Sequence, residues 1–315
     1  MKRSFGVVGS QAAVAQGFAI QPTRDRTQVA AAGMLIVALV MAGSNGIIAS
    51  GISLPSLQTV LMRTVIAAFA LGLMLATSRA HLKAAEHKKE AGFVALAGAS
   101  LAATWLFLFE AYEYVGVGLS TVLMYCAPII VMALSPIVFR ESLSKTKVVG
   151  FCAVVLGAAL VNGVALQGGM SAYGIGCGLA SAVCFASMLI LNKKASHIDG
   201  VEKVFIEIAS AAVVVMLYSL VCHGVTLQMV LVEASSDMLP LLALGLSTAI
   251  GNFFYLKGVD KLPMQSVAVL GYIEPLAAVG LGALVLGETL LPLQLVGATL
   301  IIAGAVYSEV SRKAK

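Results

Sequence analysis

Charge is the scarcest commodity in this chain. Asp, Glu, Lys and Arg make up 11% of its 315 residues while 60% are hydrophobic, against roughly 25% and 45–50% in a soluble domain. A water-soluble fold cannot cover that much apolar surface, so lipid is the expected solvent. Cysteine is sparse too. Cys126, Cys152, Cys177, Cys184 and Cys222 lie in or beside apolar runs with no CxxC pair, which argues against a disulfide framework or a zinc site. No HExxH or Ser/His/Asp constellation occurs, and His81, His87, His197 and His223 all fall near loop positions. Neither a cofactor nor an enzymatic activity is expected.

Two glycine patterns, Gly174-x-Gly-x-Gly and Gly280-x-Gly-x-x-x-x-Gly287, superficially resemble nucleotide loops. They lack a preceding strand and a Lys-Ser/Thr ending, so close helix contacts are the expected role. The net charge of +5 is spread over short clusters between apolar runs. That is unlike the contiguous basic face of a nucleic-acid-binding protein, and no nucleic acid is expected as a partner.

What the chain has is apolar runs of bilayer length, such as Val148–Ala165 and Leu262–Leu286, close to the ~20 residues a spanning helix needs. Breaking the sequence at charged, Gly and Pro clusters predicts ten helices, at 29–52, 56–78, 91–114, 118–139, 146–165, 174–192, 201–222, 238–258, 263–286 and 292–309. With a cytoplasmic amino terminus, nineteen of the twenty Lys and Arg fall in inner segments and none in an outer loop; the remaining one, Arg63, is inside the second helix. This basic bias predicts a multi-pass protein of a bacterial-type inner membrane with both termini cytoplasmic. Residues 1–28 read as a cytoplasmic tail. The alternative is a targeting peptide, suggested by Lys2 and Arg3 ahead of small apolar residues but diluted by Ser10, Gln11 and Gln16.

Sliding the sequence against itself by 147 residues superposes 122–158 on 269–305, with Tyr125 on Tyr272, Pro128 on Pro275 and Glu141 on Glu288 among twelve identities. The repeating unit is five helices, namely residues 29–165 and 174–309, with 310–315 as a second tail. Five is odd, so the second half enters from the opposite face. The fold expected is an all-α integral membrane protein of ten transmembrane helices in two inverted five-helix repeats, a plan common among secondary transporters.

These residues resemble the EamA-type branch of the drug/metabolite transporter superfamily. The resemblance rests on Tyr125–Pro128 with Arg140-Glu141-Ser142-Leu143, on Tyr272–Pro275 with Gly287-Glu288-Thr289-Leu290, and on Gly43-Ser44-Asn45 with Arg63. It implies a central cavity between the halves, with the fifth and tenth helices at the periphery and room for a homodimer. It also implies carriage of a small metabolite, with amino acids or related amines favoured and efflux the expected direction. Uptake of a cationic solute such as a quaternary amine is the alternative. A lipid-directed enzyme and a channel are further classes, of which the first lacks its expected Asp or His cluster.

Ionisable groups at membrane depth are costly and mark transport paths. Glu274 lies eleven residues into the ninth helix, ahead of Pro275, which is expected to free the carbonyl of residue 271. A carboxylate beside irregular backbone suits a cation, an ammonium group or a coupled proton; the bland reading is a protonated residue that shapes a kink. Its counterpart is Ala127, which a symmetric packing role does not predict. Arg63 and Glu207 stand at similar places in the two halves and are expected to face the cavity from opposite ends. Arg63 suits a substrate carboxylate, unless it snorkels or pairs internally.

Glu110, Glu113 and Tyr114 share a helical face near the outer mouth. With Trp105 and Phe109 they suit a cationic amine, or else an interfacial belt. Asn45, Asn252, Tyr255, Tyr125 and Tyr272 complete the expected substrate-binding set; metal ligands and catalytic residues are not expected.

Overall fold

The protein is described here as a computed structural model covering residues 22–78, 82–163, 171–234, 236–286 and 291–310. Both expected tails fall wholly or largely outside these residues, as do Arg79, His81 and the Gly287–Leu290 motif. Every regular element among the described residues is helical. In chain order they are α1 (Pro22–Ser50), α2 (Ser56–Thr77), a 3₁₀ turn (Lys83–Ala85), α3 (Lys88–Met124), α4 (Ala127–Phe139), α5 (Lys145–Gly163), α6 (Ala172–Lys194), α7 (Gly200–His223), α8 (Leu227–Glu233), α9 (Met238–Lys261), α10 (Met264–Leu270), α11 (Ile273–Leu286) and α12 (Pro292–Val310).

Eight segments are long and apolar enough to cross a membrane: Arg26–Ser50, Ser56–Thr77, Lys88–Gly116, Leu119–Phe139, Ala172–Lys194, Gly200–His223, Met238–Lys261 and Met264–Val285. Pro292–Ser308 is a shorter apolar helix, so length and hydropathy mark eight of the ten expected spans as candidate crossings among the described residues. The lipid-facing character is direct: Leu284 is 84% exposed, Val221 79% and Ile137 78%, a surface that water would not tolerate in contiguous form.

Three positions differ from the simple reading. α3 changes direction at Gly116, whose φ of 77° and ψ of 164° suit a residue without a Cβ. The expected fourth and ninth helices each break within the span, at Tyr125–Cys126 and at Gly271–Tyr272. Both breaks lie just ahead of a proline, Pro128 or Pro275, whose ring cannot continue the preceding hydrogen-bond ladder. The Gly271 carbonyl is not left free, because the Glu274 amide donates to it at 3.3 Å.

The 147-residue offset maps each helix of the first half onto one of the second: α1 on α6, α2 on α7, α3 on α9 and α10, α4 on α11, and α5 on α12. Packing follows the same rule. α1 lies on α9 and α11, as α6 lies on α3 and α4, while α2 packs on α7 and α5 on α12. The last pair is the clearest. A Cβ at Gly150 would sit 2.7 Å from the Gly304 carbonyl oxygen, and one at Gly157 would sit 2.6 Å from that of Gly297. Exchanging each glycine for its repeat equivalent, Gly150 for Gly297 and Gly304 for Gly157, converts the first contact into the second. Rising numbers in α5 therefore meet falling numbers in α12, so the equivalent helices run antiparallel, an arrangement that fits two halves of opposite insertion. Without a hydrophobic drive in lipid, such small-residue contacts carry the helix association.

Of the discounted glycines, Gly174 packs on Tyr114 and Val115, and Gly178 on Leu123, as expected for close helix contacts. Gly176 and Gly280 have nothing within 4 Å of a built Cβ. Their glycines are not explained by packing.

Basic segments lock together at one end. Lys193 Nζ donates to the carbonyls of Val259, Asp260 and Leu262 at 2.6, 3.0 and 2.7 Å. The Glu202 carboxylate accepts the Lys83 and Ala84 amides, and Glu141 accepts those of Met264 and Gln265 at 2.8 and 3.2 Å. Glu141 thus caps the start of α10 from the other half. It follows Arg140, which closes α4 in the left-handed region at φ 56°. Lys83 and Asp199 pair at 2.8 Å; their hydrogen bond holds the Asp199 carboxyl below its ordinary value and the Lys83 ammonium above its own. At the opposite end, Asp237 accepts the Ser53 amide and hydroxyl at 2.8 and 2.7 Å.

Candidate functional site

A cavity of about 190 Å³ lies between the halves, walled by α1, α2, α3, α6, α9 and α11. Among the described residues, none of α5 or α12 lines it. Its wall contains Asn45, Arg63, Trp105, Asn252, Tyr255 and Glu274, six of the residues the sequence singles out.

Gly43 explains how Glu274 reaches it. A Cβ there would lie 2.8 Å from the Ala278 nitrogen and 2.9 Å from the Glu274 carbonyl oxygen, so only glycine lets α1 approach the start of α11 this closely. Two residues on, Asn45 Oδ1 accepts the Ser247 hydroxyl at 2.9 Å, tying α1 to α9 across the halves. Asn252 Nδ2 donates to the Thr248 carbonyl at 2.8 Å. Glu274 itself stands one residue into α11, beyond the break, and its side chain is half-buried.

Arg63 neither snorkels nor finds a carboxylate. Its guanidinium carbon lies 4.3 Å from the centre of the Trp105 ring, a cation–π contact that stabilises the charge away from water. Its Nε is buried and has no hydrogen-bond partner. Arg63 and Glu274 wall the same chamber and feel each other's charge, yet among the described residues no ion pair joins them. The chamber therefore holds a guanidinium and a carboxyl group, each with unspent hydrogen-bonding capacity, and polar amide and hydroxyl groups between aromatic walls. That arrangement can take a small molecule bearing both charges.

The other expected residues lie elsewhere. Tyr272 is buried, its hydroxyl donates to the Tyr125 carbonyl at 2.8 Å, and the two rings are 6.0 Å apart. These repeat-equivalent tyrosines join the two broken helices rather than line the chamber. Phe109 packs on the Val60, Leu61 and Met62 cluster. Glu110 accepts from the Tyr173 hydroxyl at 3.4 Å, beside the Tyr114–Tyr173 ring contact, and Glu113 is exposed. Glu207 is wholly buried and off the cavity wall. Of the two residues expected to face the cavity from opposite ends, Arg63 does and Glu207 does not; at the 147 offset Arg63 corresponds to Ser210, whose hydroxyl donates to the Ala95 carbonyl.

Phe185, Met188, Ser247 and Thr248 line the chamber without having been singled out. Ser247 is the most telling, since its partner Asn45 is 202 residues away and no local pattern marks it. One metal-compatible cluster was also missed. His87, Glu90 and His197 bring ligand atoms within 4.8 Å of one another at the basic end, where His197 Nδ1 and Glu90 Oε1 are 2.5 Å apart. Two halves contribute to it, so the spacing that reveals metal sites in a sequence is absent.

A family model, the EamA-like transporter family, matches residues 29–163 and again 172–308. The chain belongs to the EamA-like transporter family. The two matched segments coincide with the two helical halves, and transporters of the EamA-like family, like the relatives below, are not enzymes. The chain is 21% identical over 285 residues to the uncharacterized transporter YxxF of Bacillus subtilis, covering 89% of this chain and 90% of that one. It is 27% identical over 207 residues to a probable amino-acid metabolite efflux pump of Salmonella typhimurium, covering 63% and 69% respectively. A crystal structure 17% identical in sequence shares the fold at a TM-score of 0.73, over 90% of this chain and 98% of the other. With its apolar helices, the EamA-like chain is an integral, multi-pass membrane protein.

Proposed function

We propose that this protein is a secondary transporter that moves a small amino acid, or a closely related amine, out of the cell by alternating access of the central cavity. The observation that carries this reading is the pairing, in one chamber, of an Arg63 with an unpartnered buried Nε and a Glu274 with no direct ion pair. An α-carboxylate satisfies the first and an α-ammonium the second, so a zwitterion completes the hydrogen bonding that these two side chains leave open. The name of the Salmonella relative points to the same substrate class. Asn45, Asn252, Tyr255 and Trp105 orient the ligand; Tyr125, Tyr272, Phe109, Glu110 and Glu207 act from outside the chamber wall.

In this reading α5 and α12 also cross the bilayer, giving ten crossings in two inverted repeats of residues 29–165 and 174–309, in a bacterial inner membrane. Both tails and the basic end face the cytoplasm. The chain functions in lipid, with a coupled proton or ion as the energy source and the homodimer as an allowed assembly. Uptake of a quaternary amine is disfavoured by one contact: the Trp105 face that would receive it is covered by Arg63 at 4.3 Å.

Purified protein in liposomes tests the proposal. Labelled amino acids should show saturable uptake and counterflow, which separates a carrier from a channel. Counterflow with choline-like amines or nucleosides but with no amino acid would overturn the substrate class.

A further inference from the structure

The most unusual polar group outside the cavity is a buried carboxyl with half of its hydrogen bonds missing. Glu207 of α7 is 0% exposed, as is Asn192 of α6. Asn192 Nδ2 donates to Glu207 Oε1 at 2.5 Å. The second oxygen of each group, Glu207 Oε2 and Asn192 Oδ1, has no partner. An ionised carboxylate in that setting is strongly disfavoured, because neither water nor a protein donor replaces its hydration.

The charged neighbours do not rescue it. Lys203, one turn away on α7, is fully buried, but its three N–H donors are taken by the Asn192 carbonyl at 2.8 Å, the Ala195 carbonyl at 2.9 Å and Asp260 Oδ1 at 2.6 Å. That ammonium is already neutralised by Asp260 of α9. Tyr255, also on α9, lies within electrostatic reach of Glu207 and of Glu274, and a phenol brings no compensating charge. From α3 the contact is backbone: a Cβ on Gly98 would collide with the Glu207 carbonyl. Reversing the Asn192 amide makes matters worse, since it would set two acceptors against each other.

A single proton resolves this. We propose that Glu207 and Asn192 form a closed acid–amide pair in which Glu207 is a neutral carboxylic acid, making the pair a proton-binding site behind the cavity wall. The amide donates to one carboxyl oxygen and the acid O–H on the other donates to Asn192 Oδ1, so both orphan acceptors are satisfied at once. Position gives the site a use. It lies between the basic-end Lys203–Asp260 pair and Tyr255 of the chamber, and it is sealed by contact of α3 with α7, which belong to different halves. Separation of the halves at that end wets the pair and releases its proton, so proton occupancy is tied to closure.

The coupling role rests on the proposed transport function; the protonated pair does not. Infrared spectra of the protein in nanodiscs at neutral pH, in H₂O and D₂O, separate the two. The expected result is a protonated-carboxyl C=O band that is lost in Glu207→Gln, shifted in Asn192→Leu and retained in Glu274→Gln. Glu207→Gln keeps an amide–amide ring, so it should remain folded, with an unchanged circular dichroism spectrum. If Glu207→Gln removes an ionised-carboxylate band instead, the proposal is wrong whatever the protein transports. In liposomes the same variant should lose the dependence of transport rate on a pH gradient; retention of the wild-type dependence would overturn the coupling role even with the band present.

Discussion

Replacing Gly157 by alanine sets a methyl carbon 2.6 Å from the Gly297 carbonyl oxygen, 2.9 Å from the Ile301 nitrogen and 3.0 Å from Ile301 Cγ1. The first two neighbours are helix backbone and cannot rotate away. Ordinary contact begins at 3.4 Å, so α5 and α12 must part by roughly 0.8 Å at this level, a displacement on the scale that costs about 1–3 kcal/mol in a packed interior. Gly297→Ala meets the reciprocal obstacle, 2.6 Å from the Gly157 oxygen and 2.9 Å from Val161 Cγ2, and should cost a similar amount. Because one separation relieves both clashes, the double variant should lose less than the sum of the singles, by about 0.5 kcal/mol or more. Gly280→Ala is the control, with nothing within 4 Å of its new methyl, and should change stability by under about 0.5 kcal/mol. Unfolding by SDS titration in mixed micelles, followed by circular dichroism, measures all four. If Gly157→Ala and Gly297→Ala prove as silent as Gly280→Ala, or the pair is strictly additive, the antiparallel seam between repeat-equivalent helices is wrong.

Glu274→Gln should leave folded protein in the membrane but abolish or strongly alter the pH dependence of transport in liposomes; unaltered kinetics would assign Glu274 to packing. Glu141→Ala removes the cap on the Met264 and Gln265 amides and should lower stability by about 1–2 kcal/mol, with Glu141→Gln intermediate in the same SDS titration. The Ser53 hydroxyl and amide hold the Asp237 carboxyl below its ordinary value. Its contribution is therefore present above the ordinary aspartate range and is lost as pH falls through the lowered folded-state value. Thermal midpoints of wild type and Asp237→Asn should differ at neutral pH and converge in acid, and a gap independent of pH would refute the contact.

Helix positions were legible because lipid demands continuous apolar runs and leaves charge only at their ends. Arg63 and Glu274 were legible for the complementary reason, as charges inside such runs. The shift of 147 residues marked Gly150 and Gly157 as matched positions, and only the structure shows that they and their counterparts are mutual contacts in an antiparallel seam. Tyr125 and Tyr272 show where the same signal misleads: repetition marked a contact between the repeats, and proximity to proline marked the break, with neither implying a place on the cavity wall. Glu207 looked like the mate of Arg63 from its local pattern, yet helix rotation turns it towards Asn192, fifteen residues away on the neighbouring α6. The Asn45–Ser247 bond, the Glu141 cap and the His87–Glu90–His197 cluster all join the two halves. Partners more than 100 residues apart leave no periodic trace.

Trp105 is the only tryptophan in the chain, and it stands on the cavity wall with Arg63 over its ring. Its fluorescence therefore comes from a residue of the chamber wall. Titration of the purified protein with a small zwitterionic amino acid that it transports should give a saturable change in Trp105 emission. In Arg63→Gln and in Glu274→Gln the half-saturation point should rise at least tenfold, equivalent to about 1.4 kcal/mol. Saturable transport of such an amino acid, with Trp105 emission indifferent to it and affinity unchanged in both variants, would contradict the assignment of this cavity as the carrier site.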